Sequence, residues 1–235
     1  MPKIIPDNLS CIAFKRASDF FGFFFGLFGV YYVSLAVSSN FFGGGETFCV
    51  IVSSLVLQAA LSVWLILYAK FCRVDFSFTL PKKSLFTKAA KYTLLALLLV
   101  FATMALWKGV LFLLGVKYEM QNSIDLWLSA SGLAENAMAF LSIAVLAPIS
   151  EELLFRGYLY RILKGAFNNL FAAVLVSLLF AGIHFSIEAF VSLAALSVLF
   201  CAVYEKYRDI RLNILVHSLF NIVNVLMISI CNLQQ

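Results

Sequence analysis

Charge is scarce in this sequence. Asp, Glu, Lys and Arg make up 12% of its 235 residues, against roughly a quarter in soluble domains. Hydrophobic residues make up 63%, and the mean hydropathy is +0.99. A water-soluble core of this length could not hide so much apolar surface, so the bilayer must be the solvent for most of the chain. Histidine is nearly absent, with two residues in all. The five cysteines, Cys11, Cys49, Cys72, Cys201 and Cys231, form no CxxC pair and no metal-like spacing. They read as small apolar helix residues. The ending Cys-Asn-Leu-Gln-Gln puts Cys231 fifth from the last residue, which is not the spacing of a prenylation box. The first residues show no cleavage-site pattern.

What is present is long apolar runs. They do not alternate, which argues against a membrane barrel and for helices, whose backbone groups satisfy one another inside hydrocarbon. The expected fold is an all-α polytopic transmembrane helical bundle of about seven spans, within a range of six to eight. The spans are Asp19 to Val37, Phe48 to Phe71, Tyr92 to Leu114, Leu133 to Arg161, Leu170 to His184, Ile187 to Tyr204 and Leu212 to Ile230. Residues 1–235 read as one integral membrane domain, with a catalytic core over about 133–230 and no internal repeat.

The net charge of +5 would raise nucleic acid as a partner in a soluble protein. Here the basic residues fall in a few connecting segments, so no nucleic acid is expected and the bilayer is the partner. Lys3, Lys15 and Arg16 precede the first span. Arg73, Lys82, Lys83, Lys88 and Lys91 lie between the second and third, Arg161 and Lys164 end the fourth, and Lys206, Arg208 and Arg211 lie between the sixth and seventh. The loop with Gly43, Gly44 and Gly45 has no basic residue. This pattern puts the N-terminus in the cytoplasm and the C-terminus outside, in a cell (plasma) membrane. Lys108 is expected to snorkel outward. Val74 to Lys91 reads equally as an amphipathic stretch at the headgroups or as a basic loop.

An ionisable residue at mid-bilayer costs ~2.5–3.5 kcal/mol, so each one needs a reason. Three clusters stand out. In the first, Glu151 and Glu152 are adjacent, so their side chains point ~100° apart on a helix. Glu152 and Arg156 are four residues apart in the order that favours an ion pair. Glu151 has no such partner on its own helix, which suits a general base. Pro148 removes a backbone bond and frees the carbonyl of Ala144, allowing a kink. The second cluster is Phe180 and His184, which share a helix face. The third is His217 and Asn221, extended by Asn213 and Asn224, for which interhelical hydrogen bonding is the expectation. Glu151 stands sixteen residues before Phe167 and His184 seventeen after it. At ~1.5 Å per residue both lie ~24–26 Å from that turn. His217, nine residues past Arg208, would lie ~14 Å deep, leaving a mismatch of ~10 Å.

Glu-Glu-x-x-x-Arg, Phe-x-x-x-His and His-x-x-x-Asn, in that order on late apolar spans, resemble the CAAX protease and bacteriocin-processing family of intramembrane proteases. The resemblance covers about Ala144 to Asn224. It implies a membrane-embedded endopeptidase acting on a peptide or lipidated-protein substrate, with some members linked to bacteriocin self-immunity. It implies that Glu151 and His184 activate water, that His217 and Asn221 stabilise the oxyanion or help hold a metal, and that Glu152 and Arg156, with Phe180, support the site. Two chemistries stay open. Glu151, His184 and His217 could hold Zn2+ or another divalent metal with an open position for water. The same residues could work without metal, with Glu151 as base and His217 and Asn221 as oxyanion donors. Two rival readings remain: a proton-coupled transporter, since intramembrane Glu and His also build proton relays, and a non-catalytic bacteriocin-immunity protein.

Overall fold

The structure, a computed structural model, describes residues 17–41, 46–71, 83–117 and 122–232. Lys3, Lys15, Arg16, Gly43 to Gly45 and residues 72–82, which carry parts of the orientation and amphipathic readings, lie outside the described residues. The described residues form eight helices and no strand. They are α1 (Ala17–Phe41), α2 (Glu46–Phe71), α3 (Lys83–Leu113), α4 (Asn122–Ser129), α5 (Gly132–Ala166), α6 (Asn169–Gly182), α7 (Phe190–Tyr207) and α8 (Ile210–Asn232).

Seven of these fall where the seven spans were expected. By length and composition, α2, α3, α5, α7 and α8 can each cross a membrane, while α1 and α6 contribute the shorter apolar segments Gly22–Ser34 and Asn169–Gly182. Several boundaries differ from expectation. Lys83 to Lys91 belong to the first turns of α3 rather than to a loop. Arg161 is not the end of α5, which runs on to Ala166. His184 lies in the turn after α6, not in the helix. The short α4 was not anticipated at all, because eight residues carry too little periodicity to read.

Local chemistry sets the ends. Ser131 precedes α5, and its N–H donates to Glu135 Oε2 at 2.8 Å, satisfying a donor that the helix itself cannot. Asn168 caps α6 by accepting from the N–H of Phe171 at 2.8 Å. Arg208 closes α7 in the left-handed region, φ 50°, and turns the chain directly into α8.

Helix α5 lies at the centre, against α2 on one side and α8 on another. Helices α6 and α7 pack on each other, α3 lies on α7 and α8, and α1 lies on α2. Two apolar cores result. One joins Phe23, Leu65, Leu153, Phe155, Val176 and Tyr204; the other joins Ala89, Tyr92, Leu196, Phe200, Val216 and Phe220. Large apolar side chains elsewhere are exposed, among them Leu94, Leu98, Phe101, Leu106 and Phe112 on α3. A surface of this kind is stable only in contact with lipid, and the protein is an integral membrane protein.

Candidate active site

The site is built on a helix that changes register twice. Within α5, Ser142–Leu146 and Leu153–Leu159 are π-helical, and Ala147–Glu152 between them is α-helical. A π turn bonds each N–H to the fifth carbonyl before it, so it is wider and rotates the residues that follow. Pro148, Glu151 and Glu152 all sit on the short α-helical piece between the two wide turns.

Glu152 and Arg156 are both fully buried. Arg156 Nη1 donates to Glu152 Oε1 at 2.9 Å, the pair expected from their spacing. Arg156 Nη2 donates to the carbonyl and hydroxyl oxygens of Ser197 on α7, at 3.2 and 2.7 Å. The rings of Phe180 and Phe200 lie 5.0 and 5.1 Å from the guanidinium carbon, giving cation–π contact with both. The other carboxylate oxygen of Glu152 accepts from Asn213 Nδ2 at 3.3 Å, and Asn213 also donates to the carbonyl of Phe200 at 2.8 Å. Asn213 thus makes the interhelical bonds expected of it. Asn224 does not, because its amide returns to the carbonyl of Phe220 on its own helix. A separation of four positions places that carbonyl directly below the side chain.

Glu152 does more than pair with Arg156. His217 Nδ1 lies 2.9 Å from Glu152 Oε1. The carboxylate, already neutralised by Arg156, can only accept, so Nδ1 carries the proton. The other ring nitrogen, Nε2, lies 3.8 Å from Glu151 Oε2. His184 is fixed in the same tautomer. Its Nδ1 lies 2.7 Å from the carbonyl of Phe180, which also can only accept. The Phe180 ring stands beside both imidazoles, 4.8 Å from His184 and 6.2 Å from His217.

Of the two histidines, His217 is the one within ion-pair distance of Glu151. The expected ~10 Å mismatch in its depth is therefore absent; that arithmetic assumed uniform α-helices of ~1.5 Å rise per residue. Asn221, four residues beyond His217, donates from Nδ2 to the carbonyl of Ile143 at 2.8 Å.

Helix α2 contributes residues that carried no motif. Gln58 hydrogen-bonds Ser150, next to Glu151, and Ser54 meets Ser142 at 2.8 Å. Glu205, near the end of α7, was not singled out either. It accepts from Tyr160 at 3.1 Å and pairs with Lys164 at 2.7 Å and with Arg208. The available signal was the same for all of these, a polar residue in an apolar helix, but one polar residue among many apolar ones does not name its partner. Lys108 is half-exposed and pairs with Glu188, and the neighbouring Trp107 donates to the carbonyl of Ile187 at 2.7 Å. Beside this strap a cleft of about 430 Å³ is lined by Trp107, Gly182, Phe185, Ser186, Ile187 and Phe190, with Gly182 two residues before His184 and Phe185 next after it.

For a metal, the tautomers are suitable, since each imidazole uses Nδ1 on an acceptor and leaves Nε2 for a ligand. The positions are not. Among the described residues, no three His, Cys, Asp or Glu side chains converge closely enough to hold an ion. What the arrangement offers directly is a carboxylate oxygen and an imidazole nitrogen 3.8 Å apart, group types that can take protons from water.

No curated protein and no solved structure matches the chain. Residues 133–223 match the family described as Type II CAAX prenyl endopeptidase Rce1-like, and all three polar motifs lie inside that stretch.

Proposed function

We propose that this protein is a membrane-embedded endopeptidase of the CAAX type in which Glu151 is the general base. The observation that carries the reading is the buried row Arg156–Glu152–His217, which sets His217 Nε2 at 3.8 Å from Glu151 Oε2. A water donating one hydrogen to each of these acceptors turns its oxygen lone pair toward a substrate carbonyl. Glu151 takes a proton as the oxygen attacks the carbonyl carbon. It then returns that proton to the leaving amine as the C–N bond breaks. Glu152 and Arg156 do not react; they hold the His217 ring and its tautomer.

His184 shares the Phe180 ring with His217 and lies in the chain segment that contributes Gly182 and Phe185 to the apolar cleft. The cleft suits an apolar group on the substrate, which agrees with a lipidated peptide. The donor positions favour the metal-free chemistry over Zn2+.

The test is cleavage by the detergent-purified protein, using a library of farnesylated and unmodified peptides, with and without a strong chelator. Glu151→Gln is expected to cut turnover by about 10²–10⁴-fold, the usual worth of a general base. His184→Ala is expected to reduce it as well, and the chelator to leave the wild type unchanged. Wild-type turnover in Glu151→Gln would overturn the assignment, and loss of turnover to the chelator would return the site to the metal chemistry.

A further inference from the structure

The carbonyl of Ile143 has no donor within its own helix. In an α-helical register it would accept from the N–H of Ala147, but that N–H goes to Ser142. In the π register it would accept from residue 148, and residue 148 is proline, which has no N–H. Two ordinary solutions are thus removed together, at the point where the first π segment hands over to the piece bearing Glu151 and Glu152. A carbonyl left unpaired inside a membrane protein is costly. Asn221 Nδ2 supplies the missing donor at 2.8 Å from across the helix interface.

We infer that Asn221 is a positioning residue: it replaces the N–H that Pro148 lacks, and so holds the π turn that sets the direction of Glu151. The inference rests on the catalytic reading for its consequence, but its structural half stands alone. Asn221 and His217 are one helical turn apart on α8. They hold α5 at two points, Asn221 at Ile143 above Glu151 and His217 at Glu152 beside it. Ser54 and Gln58 hold the same stretch from α2, at Ser142 and Ser150. If the turn relaxed to α-helical register, the residues after it would rotate, and Glu151 would leave His217.

Restoring the N–H with Pro148→Ala should make Asn221 dispensable. The experiment compares wild type, Asn221→Ala, Pro148→Ala and the double variant, as full-length protein in detergent. It reads thermal midpoint, labelling of Glu151 by a water-soluble carbodiimide relative to Glu135, and turnover of the peptide library per folded molecule. Asn221→Ala is expected to lower the midpoint, change the labelling of Glu151 and lose at least tenfold in kcat with KM held. The double variant is expected to recover most of all three. A double variant no better than Asn221→Ala overturns the inference and leaves Asn221 acting on the substrate directly. Should Asn221→Ala not fold, recovery of folded protein in the double variant reads the same coupling, and its failure sinks the idea equally. Midpoint and labelling do not depend on turnover, so they decide the inference even if no peptide in the library is cut.

Discussion

An arginine with no exposed surface inside an apolar bundle must be compensated, and Arg156 is so at both terminal nitrogens and by two aromatic rings, while its Nε has no hydrogen-bond partner among the described residues. Arg156 has Glu152, Ser197 and two aromatic faces, and Glu152 in turn has His217 and Asn213. Removing one charge from such a pair strands the other, which costs about 3–5 kcal/mol, whereas replacing both costs far less. Arg156→Met is therefore expected to destabilise the protein by about that amount, and Glu152→Gln added to it to recover much of the loss, as read by unfolding midpoints in detergent. A double variant as unstable as the single would mean that the pair is not acting as a unit. At this scale the sequence was readable where partners sit on one helix. The spacing of Glu152 and Arg156 predicts their contact directly, and Phe180 meets His184 for the same reason. It was not readable where partners come from different helices. Nothing in the sequence ties Asn221 to Ile143, or makes Glu152 rather than Glu151 the closer neighbour of His217.

Helix termini and irregular turns follow the same divide. The apolar runs fixed where helices would lie, because ~20 apolar residues cross a bilayer whatever surrounds them. The π segments of α5 were hidden, because an insertion of register leaves no trace in composition; Pro148 predicted a disturbance of the backbone bonds near Ala144, and the structure adds the carbonyl of Ile143, which is met by Asn221. The α7–α8 connection shows how a tight junction can be held by charge. Asp209 accepts from the backbone N–H of Arg211 at 3.1 Å and from its guanidinium at 2.8 and 2.7 Å. The Arg211 hydrogen bond holds the Asp209 carboxyl below its ordinary value of 3.8, against the opposing effect of partial burial. A carboxyl lowered by folding adds stability that is complete above its unfolded pKa and is lost as pH falls through the folded one. Asp209→Asn is thus expected to lower the unfolding midpoint at neutral pH, with the gap from wild type closing only below about pH 4. A gap that stayed constant as the pH fell well below that value would remove the charge from the explanation.

Over the whole molecule, the charges separate to two ends. Lys88 and Lys206 lie over the ring of Tyr207, 4.8 and 5.4 Å from its centre, close to Arg208, Glu205 and Lys164. The start of α3, the end of α7 and the end of α5 therefore share one end of the bundle, and it is basic. The opposite end holds the Lys108–Glu188 pair and α4, whose Trp127 donates to Ser229 near the end of α8 at 3.0 Å. Basic connections stay in the cytoplasm, so Lys206 should lie inside and Asp125 on α4 outside. The two can be compared in a cysteine-free protein carrying Asp125→Cys or Lys206→Cys. On intact cells, a membrane-impermeant maleimide is expected to label the first and spare the second until the membrane is opened. The reverse pattern would invert the protein, and would turn the end of the bundle that holds His184 and the apolar cleft toward the cytoplasm. Labelling of both in intact cells would mean that the bundle does not separate the two ends by a membrane, and the reading of α5 as a span would fall with it.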